Sequence, residues 1–517
     1  MRKLSTLLLA LVLALSIAMP ALAVDVQVPL TEEPVTFRIM VRKEDLSQNT
    51  WPEKECVQYT EKQTGIHIEW IEVPSSGWTE KVNLTFASGD LPDAFVGGVD
   101  VVSNMDMLTP LGDLIDQYAP NVLEMFETLP DMRGALTLSD GDIYSLPTGD
   151  ADVKNQIQSE MWLNQAWMKQ LNLKTPTTLD ELYDVLVAFR DGDPNGNNIK
   201  DEIPLLVSAS SDAARLDFLF GLFGTLENNQ HIRVQDGKVI FTPQEDAYYD
   251  ALQWLHKLYA EGLMNQEYFT EDYQQFLAKG NAETCVVGLV LEWYIDNIIL
   301  KSNVQNFAYL EPVTGPNGTP IWSKAISPNS PQGTLNGFTI TKNCKNPELL
   351  VKWYDYINSN LDILNLWNYG PENVIWRYTD DGRWELFNDN VPEGSSSSQI
   401  RRTIGTGPSA PLYAYSRFRG PQAEKYADRI AAKVAANEAY AKYVPAENIP
   451  NGFGDAEEET ERNMLLVDID HYLNQFKAHA IVDGITEAEW QDHLKTLSTL
   501  GIDEYVGYWQ SYYDAHK

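Results

Sequence analysis

Cysteine is scarce in this sequence. Three in 517 residues cannot build a disulfide scaffold. Cys56, Cys285 and Cys344 have neither the spacing of a metal site nor a neighbouring His for nucleophilic catalysis, so they read as small buried hydrophobes. Positive charge is also short: 38 Lys+Arg face 74 Asp+Glu, a formal net charge of −36. A chain this acidic repels a phosphate backbone, which excludes nucleic acid as a partner. Past the N-terminus there is no long apolar run; the most apolar stretch, Cys285 to Leu300, is broken by Glu292 and Asp296. No G-x-S-x-G elbow, H-E-x-x-H, Walker loop or G-x-G-x-x-G occurs. With 74 acids, neighbours such as Asp180-Glu181 or Glu457 to Glu459 arise by number alone and read as solvated faces.

What is present begins with an address. Arg2 and Lys3 precede the apolar run Leu4 to Ala18, Met19-Pro20 and the triplet Ala21-Leu22-Ala23, the pattern of a signal peptide over residues 1–23 with the mature chain starting at Val24. No Cys follows the run, so no bacterial lipid anchor is expected. The product is expected to be exported and soluble, in a periplasm or outside the cell. A hydrophobic fraction of 44%, with 14 Trp, 25 Tyr and 17 Phe, is ample for more than one core. Single cores stop growing near about 250–300 residues, so at least two lobes are expected.

The first half of the mature chain alternates strand and helix signals. Val35 to Val41 alternates like a strand, Trp51 to Thr64 has helical spacing, Ile66 to Ile71 is a strand, Trp78 to Ala87 a helix, and Ala94-Phe95-Val96 a strand. That order predicts a parallel sheet with crossover helices, whose ligands bind beyond the strand carboxyl ends. Further on, Thr178 and Glu181 form a capping box before a helix from Leu179 to Phe189. A helix from Asp246 to Glu261 follows, then a strand from Cys285 to Leu291 opening onto Glu292-Trp293-Tyr294. Gly337 to Thr341 reads as a strand and Pro347 to Asn358 as a helix. Helical spacing returns over Ala423–Val444 and Asn463–Tyr513, and Gly394 to Ser398 reads as a surface loop.

Two patterns carry chemistry. In Asp193-Pro-Asn195-Gly-Asn197-Asn-Ile199-Lys-Asp201-Glu202, side-chain oxygens fall at relative positions 1, 3, 5 and 9 with a carbonyl at 7, the ligand rhythm of an EF-hand-like calcium loop. It departs from that loop at position 6, Asn198 in place of Gly, and in its last carboxylate, Glu202 at position 10 instead of 12. A structural calcium ion is expected there; the other reading is an Asx-rich turn. The second pattern is aromatics at loop positions, since a sugar presents apolar C–H faces and hydroxyl edges that Trp and Tyr match. Trp51, Trp78, Trp162, Trp293, Trp367, Tyr369 and Trp376 are the candidates. Trp293 stands out because an apolar strand ends beside it.

The residues resemble the family 1 extracellular solute-binding proteins of ABC importers, in the large calcium-containing branch with the alginate-oligosaccharide-binding proteins. The resemblance is carried by Ser88-Gly-Asp-Leu-Pro-Asp93, Asp113 to Asn121, Asp140 to Pro147, Met161 to Trp167, Pro176 to Pro204, Asn368-Tyr-Gly-Pro-Glu372 and the tail Gly484 to Tyr513. It implies a two-lobed α/β fold of the periplasmic-binding-protein type with hinge crossovers and a helix-rich second lobe. Lobe one would take 24–148 plus 334–368, and lobe two 149–333 plus 369–517. It implies calcium on Asp193, Asn195, Asn197, the Ile199 carbonyl, Asp201 and Glu202, a stacking aromatic at Trp293, and Tyr369 on the hinge side. The expected ligand-binding set is Trp51, Trp78, Trp293, Tyr369, Trp367 and Arg401, with Arg401 or Arg402 available to pair a ligand carboxylate.

The function expected is a non-enzymatic, monomeric receptor that binds a carbohydrate, in the form of an oligosaccharide, and delivers it to membrane permease subunits of an ABC importer. The alternatives are a secreted polysaccharide-degrading enzyme using two carboxylates and a receptor of the same fold for a peptide-like solute. For the calcium loop, chelating divalent cations should lower the melting temperature and added calcium should restore it. A melting curve unchanged in chelator would count against the loop.

Overall fold

A computed structural model describes residues 26–44, 47–150, 157–323, 334–387, 390–392, 397–414 and 427–517. The expected leader, residues 1–23, lies outside them. Fourteen strands occur among the described residues: β1 (Val35–Lys43), β2 (Ile66–Pro74), β3 (Ala94–Val96), β4 (Ser145–Asp150), β5 (Glu160–Asn164), β6 (Ile203–Leu206), β7 (Ile232–Gln235), β8 (Lys238–Phe241), β9 (Val287–Glu292), β10 (Phe307–Leu310), β11 (Thr334–Ile340), β12 (Trp376–Tyr378), β13 (Trp384–Leu386) and β14 (Tyr413–Ala414). They make a six-stranded sheet in the order β14-β4-β11-β3-β1-β2, a four-stranded sheet in the order β10-β5-β9-β6, and two hairpins.

In the larger sheet the period-two pattern of β1 decides both faces. Phe37, Ile39 and Val41 enter one core with the helices Glu55–Thr64, Pro347–Ile357 and Leu361–Tyr369. Met40 faces the other way, into a core with Trp78, Val82 and Phe86 of the helix Trp78–Ser88. Side chains alternate across a strand, so a sheet apolar on both sides must be covered on both. β1 pairs parallel with β2 and β3, and β14 parallel with β4. β11 runs antiparallel to both β3 and β4.

The smaller sheet is built the same way. Leu163, Leu289 and Leu291 pack with Leu182, Leu186 and Phe189 of the helix Leu179–Asp191 and with Leu252 and Leu255 of the helix Asp246–Ala260. Trp162 and Val290 face the opposite side with Phe276 and Ile298. Gly288 lets the Leu179–Asp191 helix approach, since a Cβ there would lie 2.3 Å from the Phe189 ring.

The chain ends in three helices, Ala456–Val482, Glu487–Thr499 and Ile502–His516. Sequence periodicity reads them as one run from Asn463 to Tyr513. The breaks fall at Asp483-Gly484 and Leu500-Gly501, where both glycines adopt positive φ. The 27-residue first helix is about 40 Å long and spans both cores. Phe453 and Ala456, at its start, pack on the larger sheet's cores, and Ala480 and Ile481, near its end, on the smaller sheet's.

The chain runs from one sheet to the other within 151–156, 324–333 and 415–426, which lie outside the described residues. The expected lobe boundary at 368/369 therefore moves. Ala410, Leu412, Tyr413 and Ala414 belong to the first core and β14 extends the first sheet, so these residues pack with the first sheet and not, as expected, with the second lobe. The sequence segment is rich in Gly, Pro and Ser, and a two-residue edge strand has no detectable period. Ser397, read as loop, begins the helix Ser397–Ile404; residues 394–396 lie outside the described set.

Trp367 is 0% exposed, within 6.1 Å of the Trp51 ring and 5.7 Å of the Trp353 ring. Trp367→Ala should cost about 3–5 kcal/mol of stability, read as a lower denaturant midpoint at constant m-value. A loss below about 1 kcal/mol would contradict its place in the core.

Candidate functional site

The strand directions locate the site. In the larger sheet β1, β2, β3, β4 and β14 all end on the same edge, and antiparallel β11 begins there. In the smaller sheet β5 begins opposite the end of β9, with Glu160 paired to Glu292, and β10 ends opposite Met161. The link from β4 to β5 and the link from β10 to β11 therefore both join the carboxyl edge of one sheet's parallel strands to the carboxyl edge of the other's. Open α/β sheets bind ligands at that edge.

At this edge of the smaller sheet three buried charged groups meet. Lys433 Nζ donates to Glu160 at 2.5 and 2.6 Å and to the Ile157 carbonyl at 2.8 Å. Glu292 accepts from the Trp293 backbone N–H at 2.9 Å and from Asn297 at 3.1 Å. Burial pushes Glu160 up to about 8 against the opposing pull of Lys433, and burial likewise raises Glu292 to about 7. Over this cluster lie Trp293 and Tyr294, stacked with centroids 6.4 Å apart and planes 21° apart, the Lys433 ammonium 5.9 and 5.4 Å from their rings. Trp293 is half-buried, and its indole Nε1 has no hydrogen-bond acceptor among the described residues. The pair therefore presents partly exposed aromatic surface, while the indole nitrogen itself is buried.

The same lobe holds a cavity of about 600 Å³, lined by neither Trp293 nor Tyr294. Its walls are the segment after β6, the residue Gln158 before β5, the turn Leu226 to Gln230 with β7, Ser323, and the segment leading into the Ala456–Val482 helix; Asp212, Arg215, Asn228 and Asn448 mark these walls. Amide side chains and the aromatics Phe218, Trp509 and Tyr512 are among its lining. Its floor is a buried ionic network. Lys477 donates to Asp217 at 2.8 Å and to Glu227 at 3.1 Å. Burial opposes their ionisation, but Lys477 together with Arg215 at Asp217 and with His231 at Glu227 outweighs it and holds both carboxyls below their ordinary range. His231 bridges Glu227 and Asp470 at 3.1 and 2.7 Å and is pushed up to about 9, because the two carboxylates outweigh its burial.

The expected ligand residues separate. Trp51 is 2% exposed with its ring 4.6 Å from Trp70, and Trp367 donates its indole N–H to Thr60 at 3.0 Å; both are core. Trp78 is core as well, donating to the Gly98 carbonyl at 2.6 Å beneath Gly97, where a Cβ would come within 2.8 Å of the indole. Trp162 and Trp376 are buried and donate to the carbonyls of Glu292 and Gly370. Large aromatics supply more apolar area than any other side chain, and here the cores claimed them. Tyr369 stays half-buried beneath Arg401, whose guanidinium lies 4.9 Å above the ring and donates to the Asn368 carboxamide at 3.0 Å.

Sequence reasoning passed over Lys54. It is 2% exposed, and its ammonium donates to the carbonyls of Arg402, Thr403 and Gly405 at 2.7, 2.9 and 2.8 Å. It thus caps the helix carrying Arg401 and Arg402; burial lowers it to about 8. Arg402 lies 3.6 Å from Glu44, and its charge acts on the Tyr273 phenol of the other lobe, which burial pushes up to about 12. The cavity residues Arg215, Asn228, Asn448 and Trp509 were also missed, because they come from segments hundreds of positions apart.

In the acidic loop, Asn195 and Asn197 donate to Asp201 at 2.9–3.1 Å, and Asp193 accepts the Asn198 N–H at 3.3 Å. Glu202 Oε1 is buried without a partner. Burial raises the Glu202 pKa, and Asp201 and Asp193 raise it further. Among the described residues no three His, Cys, Asp or Glu side chains form a metal-holding group, so any cation here would depend on carboxamide and carbonyl oxygens as well. Ile199 is 60% exposed, so only its backbone carbonyl can serve.

Residues 34–360 match the family model described as bacterial extracellular solute-binding protein. The chain belongs to that family. It is 31% identical over 513 residues to the fructooligosaccharide ABC transporter substrate-binding protein FusA of Streptococcus pneumoniae serotype 4, covering 94% of this chain and 91% of the relative. Structures of S. pneumoniae FusA in complex with kestose, and of its EF-hand mutant in complex with fructo-nystose, each superpose with TM-score 0.82 at 29% identity, over 93% of this chain and 99% of theirs. The alginate-binding protein AlgQ2 without calcium ion shares the fold, with TM-score 0.73 at 22% identity over 94% and 99% of the chains. The two-lobed α/β architecture expected from the sequence is thereby met. Among the described residues no helix is long and apolar enough to cross a membrane.

Trp293→Ala should weaken binding of a cognate solute by about 1–3 kcal/mol, the scale of one buried aromatic contact, with the melting temperature of the free protein little changed. Wild-type affinity in a calorimetric titration would remove Trp293 from the site.

Proposed function

We propose that this chain is an exported receptor of an ABC importer that clamps an oligosaccharide between two lobes, 26–150 plus 334–414 and 157–323 plus 427–517, and hands it unaltered to a membrane permease. The observation that carries this reading is the joined carboxyl edge of the two sheets, where the stacked Trp293–Tyr294 pair lies by the buried Glu160–Lys433 contact; the second lobe also holds a polar, amide-lined cavity of about 600 Å³. A volume in this range suits a small ligand. A sugar places C–H faces on aromatic rings and hydroxyls against amides and indole donors. Closing two lobes over it buries both kinds of contact together and gives the permease a shape to read. The relationship to FusA makes fructooligosaccharides the first probes.

Catalysis has little support in this geometry. Glu160 and Glu292, raised to about 8 and 7, are the natural acid/base candidates at the edge, yet they are 0% and 3% exposed and Glu160 is engaged by Lys433. A glycosidic oxygen cannot reach them.

The acidic loop fits a calcium ion. Glu202 has a buried carboxylate oxygen without a partner, and Asp201 and Asp193 raise its pKa; a hard divalent cation would satisfy the oxygen and offset the clustered charge. Asp193, Asn195, Asn197, the Ile199 carbonyl, Asp201 and Glu202 would hold it. When bound it would supply cohesion to the turn between the Leu179–Asp191 helix and β6, and no chemistry.

Incubated with kestose, nystose and longer glycans, the protein should bind one class at a 1:1 ratio and leave the sugar intact by chromatography. Product accumulating beyond one equivalent of protein would defeat the receptor reading.

A further inference from the structure

Granted the oligosaccharide reading, a stacking platform is useful only if its rings are held in place, and the end of β9 shows what holds them. β5 begins at Glu160, paired with Glu292 at the end of β9, so the backbone N–H of Trp293 lies past the last paired residues of that ladder. Such a group needs another acceptor. Glu292 Oε1 supplies it at 2.9 Å, and the same oxygen accepts from Asn297 Nδ2 at 3.1 Å. One atom therefore closes both ends of the turn from Trp293 to Asn297. Within the turn Asn297 N–H donates to the Tyr294 carbonyl at 2.9 Å, and Ile295 is buried in the core with Ile298.

Glu292 is itself fixed. It is 3% exposed, and its carbonyl receives the Trp162 indole N–H at 2.8 Å. Lys433, wholly buried, donates to both oxygens of Glu160 and to the Ile157 carbonyl, and its ammonium lies over the Trp293 and Tyr294 rings alike. Ile157 is the first described residue after the crossing segment 151–156, so this one ammonium touches both the platform and the entry to the second sheet. Burial raises the Glu292 carboxyl to about 7, the mark of an acid held where an apolar side chain would sit at less cost.

We propose that Glu292 is a positioning residue of the solute site: it sets the Trp293–Tyr294 platform through the Trp293 N–H and Asn297, while Lys433 and Glu160 hold that platform against the start of β5. Buried as it is, Glu292 does not meet the sugar; it acts through the rings. Placement matters because dispersion falls off steeply, a gap of about 0.5–1 Å forfeiting a quarter to a half of each contact. A turn that lets Trp293 wander therefore loses affinity although no group touching the solute has been removed.

Calorimetric titration with kestose and nystose, in the wild-type chain and in a Trp293→Ala background, tests the proposal. Glu292→Leu occupies the buried space without an acceptor and should weaken the sugar about tenfold; in the Trp293→Ala background it should change Kd by less than about twofold, because its route to the solute runs through that ring. Glu292→Gln keeps an oxygen acceptor and should stay within about twofold of wild type. Equal losses from Glu292→Leu in both backgrounds, or none in either, would overturn the positioning role and leave the receptor standing. If neither sugar binds the wild-type chain, the fructooligosaccharide reading falls, and fluorine spectra of the free protein labelled with 5-fluorotryptophan decide the positioning role. The Trp293 resonance, assigned by its loss in Trp293→Phe, should move in Glu292→Leu and hold its place in Glu292→Gln. A resonance unmoved by Glu292→Leu would overturn the proposal.

Discussion

Strand polarity is the constraint on which this molecule depends. Five strands of the larger sheet end on one edge, and the links to the smaller sheet leave from that edge and arrive at the matching edge there. Parallel strands force their connections over the sheet faces, which is why helices cover both sides and leave the carboxyl edges open. Both open edges are tied by the same links, so the crevice between them is a consequence of topology. Trp293 and Tyr294 follow β9 directly at that edge, so the sheet positions them.

Buried ions hold the loops in place. Lys433 joins a helix that follows the third link to Glu160, the first residue of β5. Lys477 and His231 join the long Ala456–Val482 helix to the cavity floor through Asp217, Glu227 and Asp470. Lys54 joins the Glu55–Thr64 region to the end of the Ser397–Ile404 helix. Each bridges segments that are distant in sequence. Such pairs contribute little net stability compared with apolar replacements, but removing one partner leaves a buried charge that is costly, so the arrangement is specified closely.

Much of the fold was legible locally. Ala94–Val96 was read at its observed bounds, β1, β2 and the Leu179–Asp191 helix within two or three residues, and the capping box of Thr178 and Glu181 forms as expected. These are short-range signals, set by side-chain alternation and by one hydroxyl reaching the N–H three residues on. The acidic loop was legible for the same reason. That Trp293 directly follows an apolar strand was legible from chain order alone, and β9 ends at Glu292 beside it. Trp51, Trp78 and Trp367 were misread because a Trp in a loop-like segment looks the same whether it turns inward or outward. Their burial was decided by Trp70, Trp353 and Gly97, which meet them only in three dimensions.

By itself the sequence determined the alternation of strand and helix, the acidic loop, the family and the acidic balance of the surface, because each follows from composition or from residues within one turn of each other. Only the tertiary structure decided which of the candidate aromatics are buried, and that Arg215, Arg233 and Arg462 are each matched by a carboxylate. Those outcomes depend on contacts across tens to hundreds of residues, such as Arg233 with Glu245 or Lys477 with Asp217. No local pattern records them, since hydrophobic burial and charge pairing select their partners by distance in space.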